Sequence, residues 1–159
     1  MNEILKILET DCRLSPEEIA AMTGRTPKEV KELIADLEEK GIIRRYKAVI
    51  DWEKTGDERI FALIDVKVSP ERGVGFDAIA EQIYRYPEVH TVYLVSGLHD
   101  LRVVVEGKSM KEVAFFVAEK LATVDRVQST STHFLLKRYK EDGVFFDIPE
   151  SDKRLAIVP

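Results

Sequence analysis

Two short constellations carry most of the chemistry legible in this sequence. Gly97-Leu98-His99-Asp100 places a glycine, where the backbone can turn with its N–H groups open, three residues ahead of a carboxylate. Ser129-Thr130-Ser131-Thr132-His133 places the hydroxyls of Thr130 and Thr132 on one face of a β-prone run. A free amino acid shows a carboxylate and an ammonium side by side, so its site needs N–H groups or hydroxyls for one and an acid for the other. Gly97, Asp100, Thr130 and Thr132 are complementary to that zwitterion, with His99 and His133 placed to sort side chains. A plainer reading stands beside this one: a glycine turn, a carboxylate that caps it, and threonines chosen as strand formers.

The other chemistry is electrostatic. The chain of 159 residues carries 24 Lys and Arg against 29 Asp and Glu, a formal charge of -5, which excludes a uniformly basic polyanion binder. Residues 1–50 hold nine of the cations and ten of the anions, so they are almost neutral and the acidity sits beyond them. Arg25, Lys28 and Lys31 gather near the start of one helical segment, and Arg44, Arg45 and Lys47 follow it; these six are spaced to neutralise phosphates. Glu32 and Ala35 on the same helix are suited to a cytosine amino group and a thymine methyl. Lys28 and Glu32 are equally well spaced as an i,i+4 pair on a solvated face.

The elements that must position these residues follow from periodicity. Ser15-Pro16-Glu17-Glu18 and Thr26-Pro27-Lys28-Glu29 each read as a capping box with proline at the first helical position. Gly24 stands between them where a left-handed residue would be needed, so three short helices with helix-turn-helix spacing are expected in residues 1–50. The third runs from Pro27 to Lys40 with Val30, Leu33, Ile34 and Leu37 inward. Residues 42–50 are β-prone and read as the wing of a winged helix-turn-helix. Residues 51–57 are polar and read as a hinge.

From residue 58 to 140 the order is β-α-β-β-α-β, that of a ferredoxin-like sandwich, giving an α+β fold overall. Strands are expected over 58–69, 89–96, 100–107 and 124–139, with a turn at Pro70-Glu71-Arg72-Gly73. One helix carries Phe76, Ile79, Ala80 and Ile83. The other opens at Ser109 and turns Met110, Val113, Ala114, Val117 and Leu121 inward. Phe61 and Leu63 alternate with Ile60, Ala62 and Ile64, so both faces of the sheet read as apolar, which points to a homodimer packed sheet on sheet. The tail, 141–159, offers a second cover, because Gly143-Val144-Phe145-Phe146 and Leu155-Ala156-Ile157-Val158 are suited to adding strands.

The segment from Ile4-Leu5 to Val49-Ile50 contains Leu14-Ser15, Glu18-Ile19-Ala20, Thr26-Pro27, Val30 and Leu37-Glu38 followed by Gly41-Ile42-Ile43. It resembles the N-terminal domain of the Lrp/AsnC (feast/famine) transcription regulators. Gly97-Leu98-His99-Asp100 is similar to their Gly-x-x-Asp loop, and Thr130-Ser131-Thr132 to the Thr-x-Thr of their last strand. The resemblance spans residues 1–140. It implies a homodimer that builds larger rings, double-stranded operator DNA as one partner, and an amino-acid effector bound by the second domain. The sequence departs from the family where relatives carry basic residues along the reading helix and this chain has Glu32, Ala35, Asp36 and Glu39.

The functional expectation is a DNA-binding regulator tuned by an amino acid, with no catalytic residue, no metal and no cofactor. A sensor of the same fold that has lost DNA reading is the alternative. A further one rests on the resemblance alone, since some relatives decarboxylate a tetrapyrrole. His90, His99 and His133 are scattered and show no Ser-His-Asp or metal-ligand spacing. Cys12 stands alone, and no signal peptide or membrane span is legible, so a cytoplasmic protein with no membrane partner is expected.

Overall fold

The computed structural model describes residues 1–57, 59–69 and 75–146. The chain divides into two compact units, Met1–Ala48 and a second that begins at Val49. Glu58, the expected turn at Pro70-Glu71-Arg72-Gly73 and the tail beyond Phe146, Leu155-Ala156-Ile157-Val158 included, lie outside the described residues. No described helix is long and apolar enough to cross a membrane.

In the first unit α1 (Asn2–Thr10), α2 (Pro16–Thr23) and α3 (Pro27–Glu39) close on a core of Ile4, Ile19, Ala20 and Val30, with Leu37 also buried. Helices of eight to thirteen residues are marginal alone, and their termini are fixed locally. Ser15 Oγ accepts from the Glu18 N–H while Glu18 accepts from the Ser15 N–H at 2.7 Å; Thr26 and Glu29 repeat the arrangement at 2.8 Å. Gly24 ends α2 at φ 65°, and its N–H and that of Arg25 both reach the Ala20 carbonyl.

The expected wing does not form as a strand. Residues 42–50 carry no ladder, because no described segment of this unit offers them a partner edge and a lone strand has none of its backbone groups satisfied. Their first N–H groups instead cap α3, Ile42 and Ile43 both donating to the Leu37 carbonyl.

In the second unit β1 (Ile60–Val68), α4 (Asp77–Tyr84), β2 (Val89–Leu94), β3 (Leu101–Gly107), α5 (Met110–Glu119) and β4 (Val127–Phe134) follow in the expected order. They form one antiparallel sheet, β2-β3-β1-β4. Ala62, Ile64 and Val66 of β1 with Leu101, Val103 and Val105 of β3 make the inner face, closed by Ile79 and Ile83 of α4 and Val113 and Phe116 of α5. Met110 and Ala114, expected inward, are exposed; the inward stripe runs through Val113, Phe116 and Leu121, because Met110 sits at the uncovered first turn. Ser109 accepts from the Glu112 N–H, but Glu112 reaches back to Lys108 rather than Ser109, so the third capping box is half formed.

Three further differences follow from the ends of β1. The last strand stops at Phe134, not Tyr139, because β1 begins at Ile60 and offers nothing to pair with after Leu135 N–H reaches the Phe61 carbonyl. Residues 121–126 are a 3-10 turn and a bend rather than strand. Gly143–Phe146 does not extend the main sheet: β6 (Val144–Phe145) pairs with β5 (Lys140–Glu141) in a separate hairpin. The hinge contains a short 3-10 turn, Glu53–Thr55, with Trp52 stacked under the Arg59 guanidinium at 3.7 Å.

The outer face of the sheet is only partly apolar. Phe61, Leu63 and Val104 stand there, but the register adds Asp65, Lys67, Arg102, Glu106, Ser129, Ser131 and His133. Alternation puts every odd position of β1 outward, and from Asp65 onward those positions are charged.

The loop between β2 and β3 is held to β1 by Asp100. Its Oδ2 accepts from the Val68 N–H at 3.0 Å, Oδ1 accepts from Lys67 Nζ at 3.2 Å, and its own N–H donates to the Val66 carbonyl. The Val68 N–H, and after it Lys67, hold the Asp100 carboxyl below its ordinary 3.8. A carboxyl depressed in the fold contributes stability above its unfolded pKa and loses it as pH falls through the folded value. Asp100→Asn should therefore cost about 1 kcal/mol near neutrality. Thermal melts of both proteins should show that gap in full above about pH 5 and closing as the pH is taken below 3.8; a gap that persisted undiminished in acid would refute the clamp.

Candidate DNA interface and effector loop

The exposed side of α3 presents Lys28, Lys31, Glu32, Asp36 and Glu39, since Val30 and Leu37 point into the core. Lys28 faces Glu32 at 3.9 Å, Lys31 reaches Glu17 of α2 at 3.1 Å and Lys40 reaches Asp36 at 2.7 Å. Such exposed pairs are worth about 0–1 kcal/mol each, so a phosphate can compete for the lysines. Arg25 lies in the turn between α2 and α3, beside Glu29. Glu32 and Asp36 are thus lysine partners rather than an unopposed negative surface.

Arg44, Arg45 and Lys47 extend from the end of α3. The Arg44 guanidinium lies over Gly41, where an added Cβ would meet it at 3.5 Å. Tyr46 ties the segment back to α3 by donating from Oη to Glu38 at 2.9 Å, and partial burial together with Glu38 pushes its hydroxyl up to about 12. The segment is therefore positioned by a side chain rather than by a wing hairpin.

In the second unit Gly97 takes φ 132°, a conformation closed to other residues without strain, and nothing lies within 4 Å of the place a Cβ would occupy. The loop closes through Val95 N–H to the Asp100 carbonyl at 2.9 Å. His99 Nδ1 is 4.0 Å from Asp65 Oδ2, and His133 Nε2 is 3.6 Å from the same oxygen. Arg102 grips Asp65 with two parallel bonds, Nε to Oδ1 at 2.8 Å and Nη2 to Oδ2 at 3.1 Å. That fork holds the Asp65 carboxyl below its ordinary value, and Asp65 is only 8% exposed although it belongs to the outer face.

The structure thus joins His99 to Asp65, Arg102 and His133; Gly97 only turns the loop, and Asp100 faces Val68 and Lys67 instead. The structure does not bring Thr130 and Thr132 to this group. They pair with Val66 and Ile64, whose side chains are in the core, so both stand on the inner face; Ser129, Ser131 and His133 are the β4 residues that face outward. Asp65 and Arg102 escaped the sequence reading because each is an ordinary surface charge until the register of β1 and β3 sets them opposite one another. The available signal was parity: Asp65 lies two and four positions from Leu63 and Phe61, on the face read as apolar. Ser131 Oγ, His133 and Asp65 meet here, yet both the serine and the carboxylate face the same Nε2, so no proton relay is built.

Residues 2–44 match the model described as winged helix-turn-helix DNA-binding, and residues 61–145 match the Lrp/AsnC ligand binding domain. The chain is 52% identical to an HTH-type transcriptional regulator, YugG, of Bacillus subtilis, over 99% of this chain and 95% of that protein. Its fold is similar to that of the transcriptional regulator NMB0573 of Neisseria meningitidis, solved with L-Met, at TM-score 0.71 and 24% identity over 92% of each chain. It is also similar to a feast or famine regulatory protein of M. tuberculosis solved with L-methionine, at TM-score 0.72 and 21% identity over 89% of this chain and 92% of that one. With two domains matched in order and half of its residues shared with a full-length regulator, the chain belongs to the Lrp/AsnC family of DNA-binding transcriptional regulators.

Proposed function

We propose that this regulator reads operator DNA with α3 and residues 42–50 and adjusts that reading to a free amino acid bound near the 97–100 loop. The observation that carries the DNA half is the capped turn at Gly24, which delivers Arg25, Lys28 and Lys31 to the first turns of α3, followed by Arg44 and Arg45. Arg25, Lys28, Lys31, Arg44, Arg45 and Lys47 supply phosphate contacts, and Glu32 is placed to meet a base edge. The amino-acid half is supported by the Gly97 turn and the charged cluster beside it, and by the L-methionine held by two proteins of similar fold.

The regulator works as a homodimer, and in larger rings, through the outer sheet face, where Leu63 and Val104 are half-buried in a single copy and Phe61 lies under the Arg138 guanidinium at 4.2 Å. Joining several heads of modest affinity raises the effective strength on spaced half-sites. It acts in the cytoplasm with DNA and the effector as its partners. The alternative, a sensor without DNA reading, draws on the pairing of Lys28, Lys31 and Lys40 with acids.

Fluorescence anisotropy with the protein's own promoter fragment decides between them. Affinity should fall steeply with salt, and Arg44→Gln should flatten the log–log slope by about 1 as one phosphate contact is lost. Salt-independent binding, or none at low salt, would favour the sensor. Glu17→Gln, which releases Lys31, should tighten binding at low salt by up to about fivefold, the worth of an exposed pair. Unchanged affinity and salt slope in Lys31→Gln would remove Lys31 from the interface. Sedimentation equilibrium should show a dimer or larger assembly, and Leu63→Glu should shift it toward monomer.

A further inference from the structure

Between the hinge, the start of β1 and the segment that follows β4, the second unit holds an open hollow of about 380 Å³. Its volume falls within the range of about 300–1,000 Å³ common to small-molecule sites. Half-buried Trp52, Ile60, Phe61 and Phe146 form its apolar wall, and the guanidinium groups of Arg59 and Arg138 stand among them. The two cations differ in what they have left to donate. Arg59 lies over Trp52 at 3.7 Å and is committed to acids, with Nε donating to Asp57 Oδ2 at 2.9 Å and Nη1 to Glu106 Oε1 at 3.1 Å. Arg138 lies over Phe61 at 4.2 Å with its side chain only 16% exposed, yet no residue among those described accepts a hydrogen bond from it. The described acid that approaches it, Glu141, stays 3.7 Å from Nε, beyond hydrogen-bond reach.

We infer that this hollow is a second small-molecule site of the regulator, away from the 97–100 loop, and that Arg138 there receives a monocarboxylate with an apolar body. A guanidinium so far withdrawn from water is costly unless an acceptor meets it, and its planar fork suits two parallel bonds to one carboxylate. The Phe61 ring beneath it limits how the group can turn, so little order has to be imposed on binding. Trp52, Ile60 and Phe146 offer apolar contact to the rest of the ligand. Of the described acids on the wall, Asp51 faces Lys54 at 3.0 Å and Asp57 faces Arg59 at 2.9 Å, which leaves the exposed Glu53 to oppose an anion. One uncommitted guanidinium matches one negative charge, and the apolar wall disfavours a hydrated inorganic anion.

Trp52 is the only tryptophan of the chain and lines the hollow, so its fluorescence reports occupancy directly. The full chain is titrated with hexanoate and with phenylacetate, beside 1-hexanol as a neutral counterpart and inorganic phosphate as an anion without an apolar body. Both carboxylates should shift the Trp52 emission saturably. Affinity should be at least about tenfold lower for 1-hexanol, for phosphate, and for either carboxylate in Arg138→Gln with unchanged circular dichroism. Should Arg138→Gln fail to fold, Arg138→Lys decides with the same expected loss, since it keeps the charge and loses the fork. Wild-type affinity in the variant that folds would overturn the role of Arg138. Equal binding of 1-hexanol would overturn carboxylate recognition, and equal binding of phosphate would overturn the need for an apolar body. No saturable response to either carboxylate would overturn the site itself and leave the effector reading at the 97–100 loop untouched.

Discussion

The second unit depends on the period of two along β1. This strand is paired on both sides, with β3 and with β4, so its alternation is imposed on three strands at once. Ala62, Ile64 and Val66 go inward and are fully buried; Phe61, Leu63, Asp65 and Lys67 go outward. A slip of one residue would carry Asp65 into the core and Ile64 onto the surface, so the hydrophobic pattern that closes the core also fixes which charges meet outside it. Arg102 and Ser131 oppose Asp65 for no other reason than that Val103 and Thr132 oppose Ile64.

The first unit is built on a different constraint. Its helices are too short to be stable by propensity, and the starts of α2 and α3 are each secured by a side chain closing on the backbone N–H groups that a helix leaves free. The same capping that ends and restarts the chain around Gly24 puts three cations at the head of α3. Structure and function here share residues: Thr26 and Glu29 hold the helix start from which Lys28 and Lys31 project. The exposed ion pairs on α3 add little to stability, and their cost to DNA binding is correspondingly small.

Much of this was legible in the sequence because the relevant signals are local. Caps at Ser15 and Thr26, the glycine at 24 and the alternation from Ile60 to Val68 each act within a few residues, and each element they predict is present. What was not legible was pairing. The segment from Ile42 to Ile50 has the composition of a strand, but strand formation needs a partner edge and its own unit supplies none. Phe134 ends β4 because β1 has run out, a fact written in the sequence as far back as its partner Ala62. Thr130 and Thr132 share a face as expected, but which face is decided by the register with Val66 and Ile64. Phe61 and Leu63 read correctly as a second apolar set on the strand; Asp65 and Arg102 on the same face did not stand out, because a charge is informative only once its neighbour is known.

The position of the proposed effector loop bears on how a ligand could act at a distance. An effector shifts an equilibrium only by the difference in its affinity for the two states. A site in a remote cleft would need a conformational relay to the assembly, whereas the charged neighbours of this loop, Asp65 and Arg102, stand on the outer sheet face itself, beside Leu63 and Val104. If that face packs against a second copy, a ligand bound there is either buried by the partner or displaced by it. In both cases its binding energy differs between the free and the assembled chain without any further device. Linkage then runs both ways, so the partner copy must change ligand affinity by the same factor as the ligand changes assembly. Wherever binding draws on several joined heads, a factor in assembly is carried through to occupancy of the spaced sites.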